Sequence, residues 1–117
     1  MSDPGDKDAS DKIALYRSGM NKYATQDFEG ARQDFEAALQ IDPEFGDIHH
    51  SLAHVFDKLE DTEQALVSAR RAVELNPEEI LAYTTLSVMC MRKGLIQEAE
   101  DAKARAADLQ RQADGSS

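Results

Sequence analysis

Between Lys12 and Gln112 the apolar residues of this chain return every three or four positions, in six stretches parted by short polar breaks. Steps of three and four keep side chains on one face of an α-helix, so the pattern predicts six helices. The first starts after Ser10 or Asp11 as N-cap and runs to about Thr25, and the second covers about Phe28 to Ile41. Asp42-Pro43-Glu44 ends that helix and opens the next, because proline cannot continue a helix but suits a first turn. The third helix covers about Asp47 to Leu59 and the fourth about Thr62 to Leu75, with Asp61 as cap. Asn76-Pro77-Glu78-Glu79 repeats the punctuation and begins the fifth, which reaches Lys93. Gly94 then supplies a left-handed C-cap, and the sixth runs from about Ile96 to Gln112.

The breaks are periodic. Ala38-Leu39-Gln40-Ile41-Asp42-Pro43-Glu44 returns 34 residues later as Ala72-Val73-Glu74-Leu75-Asn76-Pro77-Glu78, and Ala31, Ala65 and Ala99 keep the same spacing. A fixed period of this length predicts stacked helical hairpins in place of one globular core. The three units are 12–45, 46–79 and 80–112, within a folded stretch of 11–112. Residues 1–10 read as a disordered acidic tail and 113–117 as a second tail. Ala31, Ala65 and Ala99 fall early in the second helix of each pair, opposite Gly19, Ala53 and Ser87 of the first, so the hairpins are expected to cross closely at small residues. Leu15, Phe35, Leu39, Leu52, Leu66, Val73, Leu75 and Leu86 fill the remaining space.

Composition supports an all-α chain. It is 41% hydrophobic and 31% charged, rich in helix formers and without β-branched runs. The net charge of −10 and the near absence of clustered Lys and Arg argue against nucleic acid. No stretch approaches the ~18 apolar residues of a membrane span, and the start has no apolar stretch of a secretory signal. Cys90 is the single cysteine, so no internal disulfide forms and a reducing, cytoplasmic setting is expected.

Taken together, Gly19, Ala31, Phe35, Ala38 and Pro43, then Leu52, Ala53, Phe56, Ala65, Ala72 and Pro77, then Tyr83, Leu86, Gly94 and Ala99 resemble the tetratricopeptide repeat over residues 12 to about 110. The resemblance implies a right-handed superhelix of three helix-turn-helix repeats. Departures are His49 at a Trp position, Lys22 and Cys90 at aromatic positions, Lys103 at a bulky apolar position, and no proline closing the third repeat. Many family members add a polar helix over the last hairpin, and this sequence stops before one.

The resemblance also implies a concave groove lined by the first helix of each repeat, where peptides sit. Helical spacing then assigns to it Ile13, Tyr16, Arg17, Met20 and Tyr23, then Asp47, His50, Ser51, His54, Asp57 and Lys58, then Leu81, Thr84, Thr85, Val88, Met91 and Arg92. Tyr16, Met20, Tyr23, Val88 and Met91 are the expected apolar anchors, and His50, His54, Thr84 and Arg92 the orienting polar groups, with Arg17 and Lys58 adding charge. The histidines predict binding that varies with pH between about 5.5 and 7.5. The function expected is non-enzymatic capture of a protein or peptide of unknown identity, by a monomer with no cofactor.

Other chemistries fit less well. His50 and His54 stand one helical turn apart with Asp57 a turn further, a spacing that can chelate zinc or copper, yet no further His or Cys is at hand. Cys90 lies near a helix C-terminus between Met89 and Met91, a setting for packing and not for a thiolate. Glu78-Glu79 complements a helix start. One branch of the family grips the C-terminal carboxylate of cytosolic chaperones with Lys, Asn and Arg. The matching positions here are Tyr16, Met20, Ser51, Leu81 and Thr85, which rules that role out. A self-assembling scaffold, built on the exposed last helix, is the rival of another class.

Overall fold

The computed structural model describes residues 4–115. Its helices are α1 (Pro4–Ala24), α2 (Phe28–Ile41), α3 (Gly46–Lys58), α4 (Thr62–Leu75), α5 (Ile80–Lys93) and α6 (Ile96–Gly115), with no strand among the described residues. They pair as three hairpins, α1 with α2, α3 with α4 and α5 with α6. Along the array the α3 backbone approaches both α1 and α5, whereas that of α2 stays clear of α4, and that of α4 of α6, which the long Arg70–Glu98 ion pair joins at 2.7 Å. First helices that crowd while second helices splay make a curved stack, and α1, α3 and α5 form its inner layer. The result is the right-handed superhelical solenoid expected, 49 × 38 × 22 Å across.

Each hairpin turns through one left-handed residue: Gln26 (φ 69°), Glu60 (φ 63°) and Gly94 (φ 81°), at 34-residue intervals. Only the third is a glycine, for which that conformation carries no Cβ clash. The next N–H closes the turn onto the first helix, Asp27 to Lys22, Asp61 to Phe56 and Leu95 to Cys90, at 2.8–2.9 Å. Asp27 and Asp61 then cap α2 and α4, their carboxylates accepting from the Gly30 and Gln64 N–H groups at 3.0 and 3.1 Å. Leu95, in the same register, has no oxygen to offer.

Asp42 and Asn76 end α2 and α4, each donating its N–H to the carbonyl of Ala38 or Ala72. Pro43 and Pro77 lie in the turns that follow, and the next helices start only at Gly46 and Ile80. The prolines therefore stop one helix without opening the next. Their carbonyls instead tie down the following helix, accepting from His49 Nε2 at 2.8 Å and from the Tyr83 hydroxyl at 2.9 Å. The outer boundaries also differ from expectation. The helix α1 takes in residues 4–10, since proline suits a first turn, and α6 takes in 113–115, since Arg111 stands where a third proline would have stopped it. The rest of the two expected tails, 1–3 and 116–117, lies outside the described residues.

Ala31, Ala65 and Ala99 are buried at the hairpin crossings. At Gly19 a Cβ would lie 2.5 Å from the Phe35 ring, so only glycine fits that crossing. Ser87, the third equivalent, donates its hydroxyl to the Ala99 carbonyl at 2.9 Å. Apolar packing then gathers in two clusters that straddle the repeat boundaries. One joins Ala31, Phe35 and Ala38 of α2 to Ile48, Leu52 and Val55 of α3. The other joins Ala53, Ala65, Leu66 and Ala69 to Leu86, Met89, Cys90, Ala99 and Ala102. Phe56 packs against both.

Lys22, at an aromatic position, has its explanation in the first hairpin. Leu52, Phe56 and Ser68 of the second repeat, and Leu86, Cys90 and Ala102 of the third, correspond to Ser18, Lys22 and Asp34 of the first. Leu52 and Leu86 sit in clusters shared with the preceding repeat, and α1 has no preceding helix among the described residues. There Ser18 donates to Asp34, and Lys22 pairs with the same carboxylate at 3.0 Å. Burial would raise the Asp34 carboxyl, but the hydrogen bonds from Ser18 and Lys22 and the Lys22 charge outweigh it and hold its pKa below the ordinary value. A polar trio thus replaces a mainly apolar one on the leading face of the array.

Candidate functional site

Helical spacing carried seventeen positions to the inner layer, and the structure sorts them into three kinds. Met20, Leu81, Val88 and Met91 remain exposed apolar groups, at 41, 62, 42 and 51% of their free surface. Ile13, Arg17, Asp47, Lys58, Thr84 and Arg92 are also exposed. The others are partly or wholly taken into the fold.

Among the expected anchors, Tyr16 and Tyr23 are partly engaged in packing. Tyr16 stacks on Phe45 with ring centroids 5.4 Å apart and leans on Phe35 at 6.0 Å, while Tyr23 meets Phe28 edge-on at 5.4 Å. Both rings are half-buried against the first apolar cluster. Phe45 and Phe28 lie on other elements, so the spacing within α1 gave no sign of the contacts. Tyr23 still helps line a small apolar recess of about 80 Å³ together with Met20, Phe35, Ser51 and His54. Tyr16 lines a second, more polar recess with Asp47, His50, Asn76, Glu79 and Leu81.

Thr85 is a correction. It is buried and not a lining residue, and its hydroxyl stands 2.8 Å from His50 Nε2 and 3.2 Å from His54 Nε2. The two imidazoles meet edge-on, centroids 5.1 Å apart. One hydroxyl proton can serve only one acceptor, so at least one ring carries its proton on Nε2. Burial pushes the His50 pKa down against the opposing charges of Glu79 and Asp47. The His54 pKa is also lowered, by burial first and by the neighbouring His50 and Lys58, with Asp57 opposing. Titration of the pair therefore moves below the ordinary ~6.5, and the expected window of 5.5–7.5 shifts downward. The Nε2 atom of each ring is engaged with Thr85, and no metal-binding cluster of three His, Cys, Asp or Glu occurs among the described residues.

Two further links run along the inner layer. Ser51 donates to the Met20 sulfur at 3.6 Å, and Arg92 pairs with Asp57 at 2.6 Å. Arg92 is thus a bridge from α5 to α3, and Thr84 turns its hydroxyl back to the Ile80 carbonyl of its own helix. A regularity emerges that spacing alone did not reveal. Tyr16, Met20 and Tyr23 correspond to His50, His54 and Asp57, and these to Thr84, Val88 and Met91. On α1 and α3 members of this set touch the next first helix. On α5 they have no following first helix among the described residues, which is why Val88 and Met91 are open. Away from this face Cys90 is buried, and desolvation, with the Glu98 charge beside it, pushes its thiol up to about 11, a packing residue's value. No described helix is long and apolar enough to cross a membrane.

Comparison with known proteins agrees with this architecture. Tetratricopeptide repeat patterns match residues 13–45 and 46–79. Among solved structures, MamA superposes with a TM-score of 0.84 at 19% identity, over 89% of this chain and 61% of that one. MamA from residue 41 to the end, from Desulfovibrio magneticus RS-1, gives 0.80 at 26% identity, over 85% and 56% of the two chains. The first TPR of Spaghetti (RPAP3), bound to the HSP90 peptide SRMEEVD, gives 0.82 at 18% identity, over 86% and 79%. This chain thus spans about three fifths of the MamA structures. Two consecutive repeat matches over more than half of the sequence, on a hairpin array with a third unit in the same register, make the chain a member of the tetratricopeptide repeat family.

Proposed function

We propose that this chain is a non-catalytic interaction module that holds a peptide or short helix of a partner protein against the inner face of α1, α3 and α5. The observation that carries this reading is the exposure of Met20, Leu81, Val88 and Met91 on one polar-rimmed face. Exposed apolar groups in such a setting commonly mark interaction sites, and methionine repacks readily around different ligands. The RPAP3 neighbour, which binds an HSP90 peptide, supports this use of the fold. The partner chemistry differs, since Tyr16, Met20, Ser51, Leu81 and Thr85 cannot supply a Lys, Asn and Arg grip on a terminal carboxylate. The module acts as a monomer in a reducing compartment such as the cytoplasm. Glu100 and Lys103 stand where α4 has Leu66 and Ala69, so α6 meets water with charge where α4 meets the next repeat with apolar groups.

The test is a double substitution, Val88→Ser with Met91→Ser. Both side chains are exposed, so helicity and Tm should hold. Proteins that co-purify with the tagged wild-type chain should fall at least tenfold in yield. Full retention of those proteins by a normally folded variant would refute the reading. Light scattering at micromolar concentration checks the monomer, and a stable dimer would favour self-assembly.

A further inference from the structure

The inner face of α3 has electrical polarity. Asp47 stands at its N-terminal end, beside Glu79 across the second recess, and neither acid is in an ion pair among the described residues. Lys58 stands at its C-terminal end, also without an ion pair. Its register explains why: the equivalent Arg92 meets Asp57 of the preceding repeat, but the residue before Lys58 in the same relation is Tyr23. The Lys58 charge is felt at His54, which lines the apolar recess with Met20 and Tyr23. Acid, apolar recess and base thus follow one another along a single helix.

The helical rise converts this order into a spacing. Asp47 to His54 is roughly 10 Å along the axis and His54 to Lys58 roughly 6 Å, at about 1.5 Å per residue. An extended peptide advances about 3.3 Å per residue, so these gaps equal about three residues and about two. Resting on the binding-face reading above, the geometry points to a peptide ligand with one apolar side chain, a Lys or Arg three positions to one side and an Asp or Glu two positions to the other. The apolar side chain enters the recess at Met20, the base lies against Asp47 and Glu79, and the acid against Lys58. No terminal carboxylate is needed, so an internal segment of a partner satisfies it. Opposite charge order places like charges together at both ends, which gives selection by repulsion as well as attraction.

Methyl NMR of the full chain with labelled methionine tests this. Met20 reports the recess, Met91 the far end of the face and buried Met89 the fold. The probes are end-blocked Arg-Gly-Ser-Leu-Gly-Glu, its reverse, and a version with Arg and Glu exchanged. One of the first two should move the Met20 methyl saturably, leave Met89 still, and bind at least tenfold tighter than the exchanged peptide. Asp47→Lys combined with Lys58→Glu should invert that preference. Equal response to all three peptides, or none at Met20, overturns the inference. A shift at Met91 alone overturns it while leaving the binding face itself intact.

Discussion

Gln26 and Glu60 hold a backbone conformation that only glycine adopts freely, and Gly94 shows the same turn made without that strain. A left-handed L-residue costs roughly 1–2 kcal/mol, offset in part by the extra unfolded-state entropy of a glycine. Glu60→Gly should therefore stabilise the chain by up to about 1 kcal/mol in urea unfolding, and an unchanged or lower midpoint would contradict the strain. The histidine pair makes a second residue-level prediction. Both pKa values are lowered by burial, so the folded chain binds fewer protons than the unfolded one. The stability this contributes is complete above ~6.5 and is lost as the pH falls from there through the folded values. Tm should therefore fall as the pH drops below ~6.5, and replacing both histidines with Gln should flatten that fall; an unchanged slope would contradict the assignment. These details were only partly legible in the sequence. Glycine marked the left-handed turn at Gly94, but nothing in the Gln26 and Glu60 side chains marked the same turn there. The contact of Thr85 with the histidine pair depended on how far α5 slides toward α3, which no spacing within one helix records.

Among the elements, α2 and α4 were readable to the residue. Each opens on an aspartate that caps it and closes two residues before a proline, so both boundaries have local chemical causes. The ends of α1 and α6 were not, because nothing local stops them: a helix continues through residues of good propensity until proline or a competing cap intervenes. The missing cap of α6 is itself a prediction. Leu95 occupies the place of Asp27 and Asp61, and Leu95→Asp should supply the absent acceptor and raise stability by about 1 kcal/mol. Thermal unfolding followed by circular dichroism measures it, and no gain would mean that α6 starts differently from α2 and α4. On the half of the proposed binding face that α1 supplies, the packing was not legible for a related reason. Tyr16 and Tyr23 lie on the expected side of α1, but Phe45 and Phe28 draw their rings into the packing.

At the scale of the whole molecule, both apolar clusters cross a repeat boundary and Phe56 touches each. Three units tied in this way should unfold in one step, since nearest-neighbour interfaces carry much of the stability of a repeat array. Phe56→Ala removes the shared ring and should cost about 3 kcal/mol. It should also separate the transition into two, seen as a calorimetric enthalpy above the van't Hoff value; a single sharp transition in the variant would show that the clusters couple by another route.

Cys90 turns this coupling into something that can be timed. It is the sole thiol of the chain, enclosed in the second cluster and held protonated by its surroundings. An alkylating reagent can reach it only when α5 and α6 part from their neighbours, so the rate of modification is a clock for that opening. If the clock runs at the rate of global unfolding, the last hairpin lives and dies with the whole array. A faster clock would mean that it detaches on its own, taking Val88 and Met91 with it, and the proposed binding face would then exist for only part of the time.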